Sequence, residues 1–126
     1  MTNTFLVMAG GAVGAALRYQ LGRISTHMLG TSYPWGTLAA NLFGGFAMGL
    51  LAGWLARLSL ASGEQMRLLL GVGVLGGFTT FSAFSLETVM MIERGQSLMA
   101  FGYVLASVLG ALVALALGLS VVRSVA

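Results

Sequence analysis

The chain contains no cysteine, no lysine, one histidine (His27) and one proline (Pro34) in 126 residues. Without cysteine there is no disulfide framework, no thiolate metal site and no cysteine nucleophile, and one histidine cannot build a metal cluster or a histidine proton relay. Charge is just as scarce, with Asp, Glu, Lys and Arg together at 7% against 58% hydrophobic residues. A soluble domain of this size has much surface to cover, and six basic and three acidic side chains cannot cover it. That leaves no room for a soluble catalytic domain, so the chain is not expected to be an enzyme. The six scattered arginines form no basic patch, which argues against a nucleic-acid partner. Their excess reads as charge flanking membrane spans, with the lipid bilayer as the chain's surroundings.

Apolar sequence arrives in long runs. Crossing about 30 Å of hydrocarbon takes about 20 residues. Runs bounded by charges and turn residues predict a single all-α transmembrane domain with spans at about 4–22, 36–56, 66–92 and 97–122. The first is not read as a cleaved signal, because no Lys or Arg precedes it. A loop is expected from Ile24 to Trp35 and a polar connection from Ser59 to Arg67, carrying Glu64; Glu93, Arg94 and Gly95 close the third span.

Four spans put Arg57, Arg67 and Arg123 on one side and Arg18, Arg23 and Arg94 on the other. Orientation follows an imbalance of basic residues between short loops, and three against three supplies none. On one reading the chain inserts both ways, and its natural assembly is an antiparallel two-fold dimer about an axis in the membrane plane. On the other, Arg18 lies inside the membrane and a weak bias remains. The arginines alone leave both open.

Gly45, Gly49 and Gly53 in span two, and Gly102, Ala106, Gly110, Ala114 and Gly118 in span four, form small-residue stripes that suit close helix packing. Span three is different. Gly71, Gly73, Gly76 and Gly77 lead into Phe78-Thr79-Thr80-Phe81-Ser82-Ala83-Phe84-Ser85. Each glycine weakens a helix by about 1 kcal/mol relative to alanine, and the cluster followed by Thr79-Thr80 predicts a break at mid-membrane, with two helical pieces around Gly76-Gly77-Phe78-Thr79-Thr80. Backbone freed there must be satisfied by protein, water or an ion. Carbonyls near Gly76 to Thr79 suit a small hard cation such as Na⁺, and a helix resuming after Thr79 offers N–H groups to an anion. A plain kink, satisfied by Ser and Thr hydroxyls, fits the same residues.

Beyond the break, Phe81 and Phe84 share a helix face, Ser85 and Thr88 lie near it, and Ser82 is about a third of a turn away. Hydroxyl donors and the positive rims of phenyl rings suit an anion. No lysine or arginine is present in this stretch to trap it. The alternative is a packing face whose hydroxyls bond their own helix. Asn41, deep in span two, reads as interhelix glue or as part of a pathway. Glu87 needs a partner in the membrane, and Arg18 is the one expected.

The run Gly76-Gly77-Phe78-Thr79-Thr80-Phe81-Ser82-Ala83-Phe84-Ser85-Leu86-Glu87 resembles the signature of the CrcB/Fluc fluoride channels. Pro34-Trp35-Gly36-Thr37-Leu38-Ala39-Ala40-Asn41-Leu42 is similar to their second-span motif, and Gly10-Gly11 through Arg18 to their first span. The resemblance covers the whole chain. It implies a dual-topology antiparallel homodimer with two fluoride pathways and a structural Na⁺ at the dimer centre, held by backbone carbonyls matching Gly76 and Thr79. It also implies Phe81 and Phe84 as pore phenylalanines and Asn41, Thr80, Ser82, Ser85, Glu87 and Tyr103 as pore-lining polar groups, with Arg18 structural. Its activity would be passive, F⁻-selective export across the cytoplasmic membrane of a bacterium. The chain departs from the pattern in span four, where Ala111 and Leu115 stand in place of a Ser and a Thr; Ser107, one turn earlier, is the residue placed to compensate. A small multidrug exporter would share this architecture but needs an acid central in its chamber, whereas the only intramembrane acid, Glu87, lies on the aromatic motif. A purely structural subunit would leave the hydroxyl and phenylalanine face unexplained.

Overall fold

The computed structural model describes residues 1–58 and 60–125, the side chains of 60–62 excepted, and every regular element among them is helical. α1 runs Thr2–Leu29, α2 Trp35–Leu55 and α3 Leu60–Met66. A π-helical stretch, Arg67–Leu75, carries α3 into the short α4, Gly76–Phe78; α5 (Phe81–Glu93) and α6 (Ser97–Ser124) complete the chain.

The first helix outruns its expected end. Ile24–Leu29, expected as loop, is the last part of α1, because Ser25, Thr26 and His27 are polar without being helix-breaking. Gly30 stops it: its φ is 83°, and its N–H donates to the Thr26 carbonyl at 2.9 Å. The link to α2 is therefore short. It ends in an inverse γ-turn on Pro34 (φ −82°, ψ 66°), closed by the Trp35 N–H donating to the Tyr33 carbonyl at 2.9 Å.

The polar connection expected from Ser59 to Arg67 is helical over its described part, and Ser59 itself lies outside the described residues. Glu64 and Arg67, three apart on this exposed turn, form an ion pair at 2.8 Å. From Arg67 the helix widens, and the N–H of Gly76 reaches back to the Gly71 carbonyl five residues earlier. Within the Gly76–Thr80 stretch expected to break, the extended residues are the two threonines. Gly76 and Gly77 are helical, whereas Thr79 (φ −84°, ψ 158°) and Thr80 (φ −153°, ψ 123°) are extended.

Glycines set the packing. α1 lies along the π-helical stretch and α4, and a Cβ on Gly10 or Gly14 would strike the carbonyls of Leu69 or Val74. α6 lies along α2, where a Cβ on Gly45 would stand 3.0 Å from the Ala111 carbonyl and one on Gly49 would meet that of Leu115. Gly118 faces the Phe46 carbonyl in the same seam, but Gly102 faces open space, so the span-four stripe packs only along part of its length. α5 leans on α6, and Phe84, Met91, Ala100 and Tyr103 are buried between them, with Tyr33, Leu38 and Val104 packed against that cluster.

Three helical runs among the described residues are long and apolar enough to cross a membrane: Trp35–Leu55, Gly63–Glu93 and Ser97–Ser124. α1 has the length, at 28 residues, but Arg18, Gln20 and Arg23 dilute its apolar character and it is not among the three.

Candidate functional site

The break frees backbone groups, and most of them are answered by side chains. Asn41 of α2 clasps Thr80: its Oδ1 accepts from the Thr80 N–H at 2.8 Å and its Nδ2 donates to the Thr80 carbonyl at 3.1 Å. Thr79 donates both its N–H and its hydroxyl to the Leu75 carbonyl, each at 2.9 Å. Thr80 caps α5, its Oγ1 accepting from the Ala83 N–H at 3.1 Å. Arg18 reaches across from α1, its Nε donating to the Gly77 carbonyl at 3.3 Å.

Outside the regular helical ladders, no hydrogen bond among the described residues ends on the carbonyls of Gly76 or Thr79. Gly76 is exposed on the face of the chain and Thr79 is half-buried. No group of His, Asp or Glu side chains able to hold a metal occurs among the described residues, so a cation at the break must rely on backbone oxygen. Free neutral carbonyls fit a hard ion that takes oxygen ligands.

Beside the break lies a cleft of about 410 Å³, walled by α2, the start of α5 and α6. It brings together Asn41, Thr79, Thr80, Phe81, Phe84 and Ser107, and no charged residue lines it. The rings of Phe81 and Phe84 sit 5.4 Å apart at 46°. Their settings differ, since Phe84 is 7% exposed and Phe81 76% exposed. Ser107 is buried, and its hydroxyl has no hydrogen-bond partner. Farther along α6 the lining turns apolar at Ala111 and Leu115, the residues that also carry the close approach to Gly45 and Gly49.

The hydroxyls expected on the phenylalanine face are mostly engaged elsewhere. Ser85 donates to the Phe81 carbonyl and Thr88 to that of Phe84, both at 2.8 Å, while Ser82 Oγ pairs with Thr80 Oγ1 at 3.3 Å. Neither Ser82 nor Ser85 lines the cleft.

Glu87 is held by hydroxyls and not by Arg18. Thr37 donates to its Oε2 and Tyr103 to its Oε1, each at 3.0 Å. Arg18 was the partner expected on charge alone, yet it is bonded to the end of α4, where the helix dipole and an orphan carbonyl also attract a cation. Glu87 opens onto a vestibule of about 250 Å³, lined also by Tyr33, Thr37 and Arg94. Burial pushes the Tyr33 hydroxyl above its ordinary pKa, so it stays protonated. Sequence reasoning passed over Thr37 and Tyr33. Thr37 stands four residues before Asn41, one turn along the same helix face, which was the available signal.

Residues 5–119 match the family model described as CrcB-like protein, Camphor Resistance (CrcB). A protein of Novosphingobium aromaticivorans is 52% identical over 128 residues, covering all of both chains. One of Phenylobacterium zucineum is 56% identical over 125 residues, covering 99% of this chain and 98% of its own. A third, from Caulobacter sp., is 50% identical over 125 residues, covering 99% of this chain and 98% of its own. Each of the three bears the name fluoride-specific ion channel FluC. With its apolar helical runs and a family match over most of its length, the chain is a multi-pass membrane protein that belongs to the CrcB family.

Proposed function

We propose that this chain is a passive, fluoride-selective channel, not an enzyme, through which F⁻ leaves the bacterial cytoplasm. The working unit is an antiparallel homodimer of chains that each cross four times, α1 supplying the fourth crossing. The relatives' name gives the ion. The observation that carries the reading for this chain is the uncharged cleft beside the break, where the Phe81 and Phe84 rings meet a buried hydroxyl with no partner. An anion stripped of water is met there by ring edges and by O–H and N–H donors, and without fixed positive charge it is free to leave. Asn41 has a second amide proton beyond the one it gives to Thr80, and Ser107 has its own. Thr80, Ser82, Ser85, Glu87 and Tyr103 continue the polar path, and the exposed Phe81 ring is completed by the second chain.

The carbonyls of Gly76 and Thr79 hold a structural Na⁺ at the dimer centre, whose charge satisfies the broken backbone. Their freedom from other hydrogen bonds supports this assignment. Arg18, on the adjacent Gly77 carbonyl, keeps the end of α4 in place. The sequence has no G-x-x-x-x-G-K-[ST] run, in keeping with flow down a gradient.

The test is fluoride efflux from liposomes carrying purified protein, followed with a fluoride electrode. Fluoride flux far above chloride flux is expected. Equal chloride flux, or no flux, removes the reading.

A further inference from the structure

Tyr103 has no exposed surface, and two rings hold it. Phe84 lies against it at 5.2 Å and 46°, and Tyr33 meets it edge-on at 5.5 Å and 81°. Phe84 belongs to a helix, but Tyr33 stands in the short link between α1 and α2. Its position is nevertheless built in. The inverse γ-turn on Pro34 fixes the backbone directly after it, with φ held by the proline ring, and the Trp35 ring lies 4.6 Å from its own. A loop aromatic tied down at both backbone and ring is fitted to hold something else in place.

Tyr33 also walls the vestibule onto which Glu87 opens. Tyr103 can donate to Glu87 at 3.0 Å only while its ring keeps its present direction. Without the Tyr33 edge, the vestibule would extend to the Tyr103 ring, and water there would compete for its hydroxyl. Leu38 and Val104 also pack on this cluster, but neither offers an edge-to-face contact. We infer that Tyr33 is a positioning residue: it holds the Tyr103 ring so that the hydroxyl stays on Glu87, and thereby sets ion passage at the vestibule end. The effect on flux rests on the channel reading; the effect on Tyr103 does not.

The experiment uses full-length protein, with two readouts. The first is fluoride flux in liposomes for wild type, Tyr33→Phe, Tyr33→Leu, Tyr103→Phe and the double variant Tyr33→Leu/Tyr103→Phe. Tyr33→Phe keeps the ring edge and is expected to keep the flux. Tyr33→Leu is expected to lose about twofold to twelvefold, the range spanned by one edge-to-face pair. If Tyr33 acts through the Tyr103 hydroxyl, the double variant conducts no less than Tyr103→Phe alone. Independent, multiplying losses would overturn the inference.

The second readout is the fluorine resonance of 3-fluorotyrosine placed at position 103, which does not require conduction. Glu87→Gln should shift it by weakening the hydrogen bond, and Tyr33→Leu should shift it in the same direction. No shift in Tyr33→Leu would overturn the inference. Should Tyr33→Leu fail to assemble, Tyr33→Ile is held to the same criteria. A wild type that passes no fluoride would sink the channel reading, and the fluorine resonance would still decide the positioning role.

Discussion

Removing the hydroxyl of Ser107 should lower flux without lowering stability. Ser85 and Thr88 each return their proton to the carbonyl four residues back, but Ser107, although buried, makes no such bond. A buried polar group left unpaired costs about 1–3 kcal/mol. In membranes the measured worth of such bonds averages about 0.6 kcal/mol, so the low end is the better guide. Ser107→Ala should therefore leave the folded protein as stable as before or stabilise it by about 1 kcal/mol, roughly fivefold in the folded ratio. If the hydroxyl's partner is the passing ion, the same change deletes a donor to a charge. That is worth about 1.5–3 kcal/mol, or roughly tenfold to a hundredfold in flux if this station limits passage. The assay pairs fluoride-electrode flux with equilibrium unfolding in detergent. Loss of stability with unchanged flux would refute the reasoning, since it would mean that the hydroxyl serves packing and not the ion.

Other changes separate pathway from scaffold. Phe81→Ile and Phe84→Ile should lower fluoride flux while the dimer still forms, and unchanged flux in both would take the rings out of the pathway. Gly14→Ala should impair assembly, because its Cβ would strike the Val74 carbonyl and neither backbone can yield, whereas Gly102→Ala, facing open space, should be neutral or stabilising by up to about 1 kcal/mol; size-exclusion profiles after heating will rank them. Exhaustive replacement of Na⁺ by a large organic cation should cost activity or assembly, and indifference to that exchange would count against carbonyls of Gly76 and Thr79 as ligands.

The parts of this fold that were legible are those governed by composition. The helices α2 and α6 end within two residues of the apolar runs at 36–56 and 97–122, because a run of apolar residues closed by an arginine admits little else. The end of α1 was misplaced because Ser25-Thr26-His27 looks like loop, while the residue that ends the helix is Gly30, through its left-handed φ. The break was legible to within a few residues, and inside that stretch the threonines carry it. Glycine permits a break, but extension occurs where side chains can take over the backbone's bonds, as Thr79 and Thr80 do with Leu75, Ala83 and Asn41. The widening of the helix before it had no reading in advance. The partner of Glu87 was misread because charge pairing favours an arginine, whereas Thr37 and Tyr103 lie 50 and 16 residues away in the sequence and only the fold brings them near. The role of Tyr33 was invisible for the same reason, since its contact with Tyr103 is non-local.

The Asn41 amide does for Thr80 what a neighbouring strand would do, offering an acceptor and a donor side by side to one extended residue. Aspartate would lack the donor, and glutamine would set the pair one methylene too far away. The extended Thr80 thus has its backbone partner on another helix, so straightening it requires α2 to let go of both bonds at once. That makes the irregular segment a fixture of the molecule rather than a joint, which is what the proposed passive channel requires of its wall.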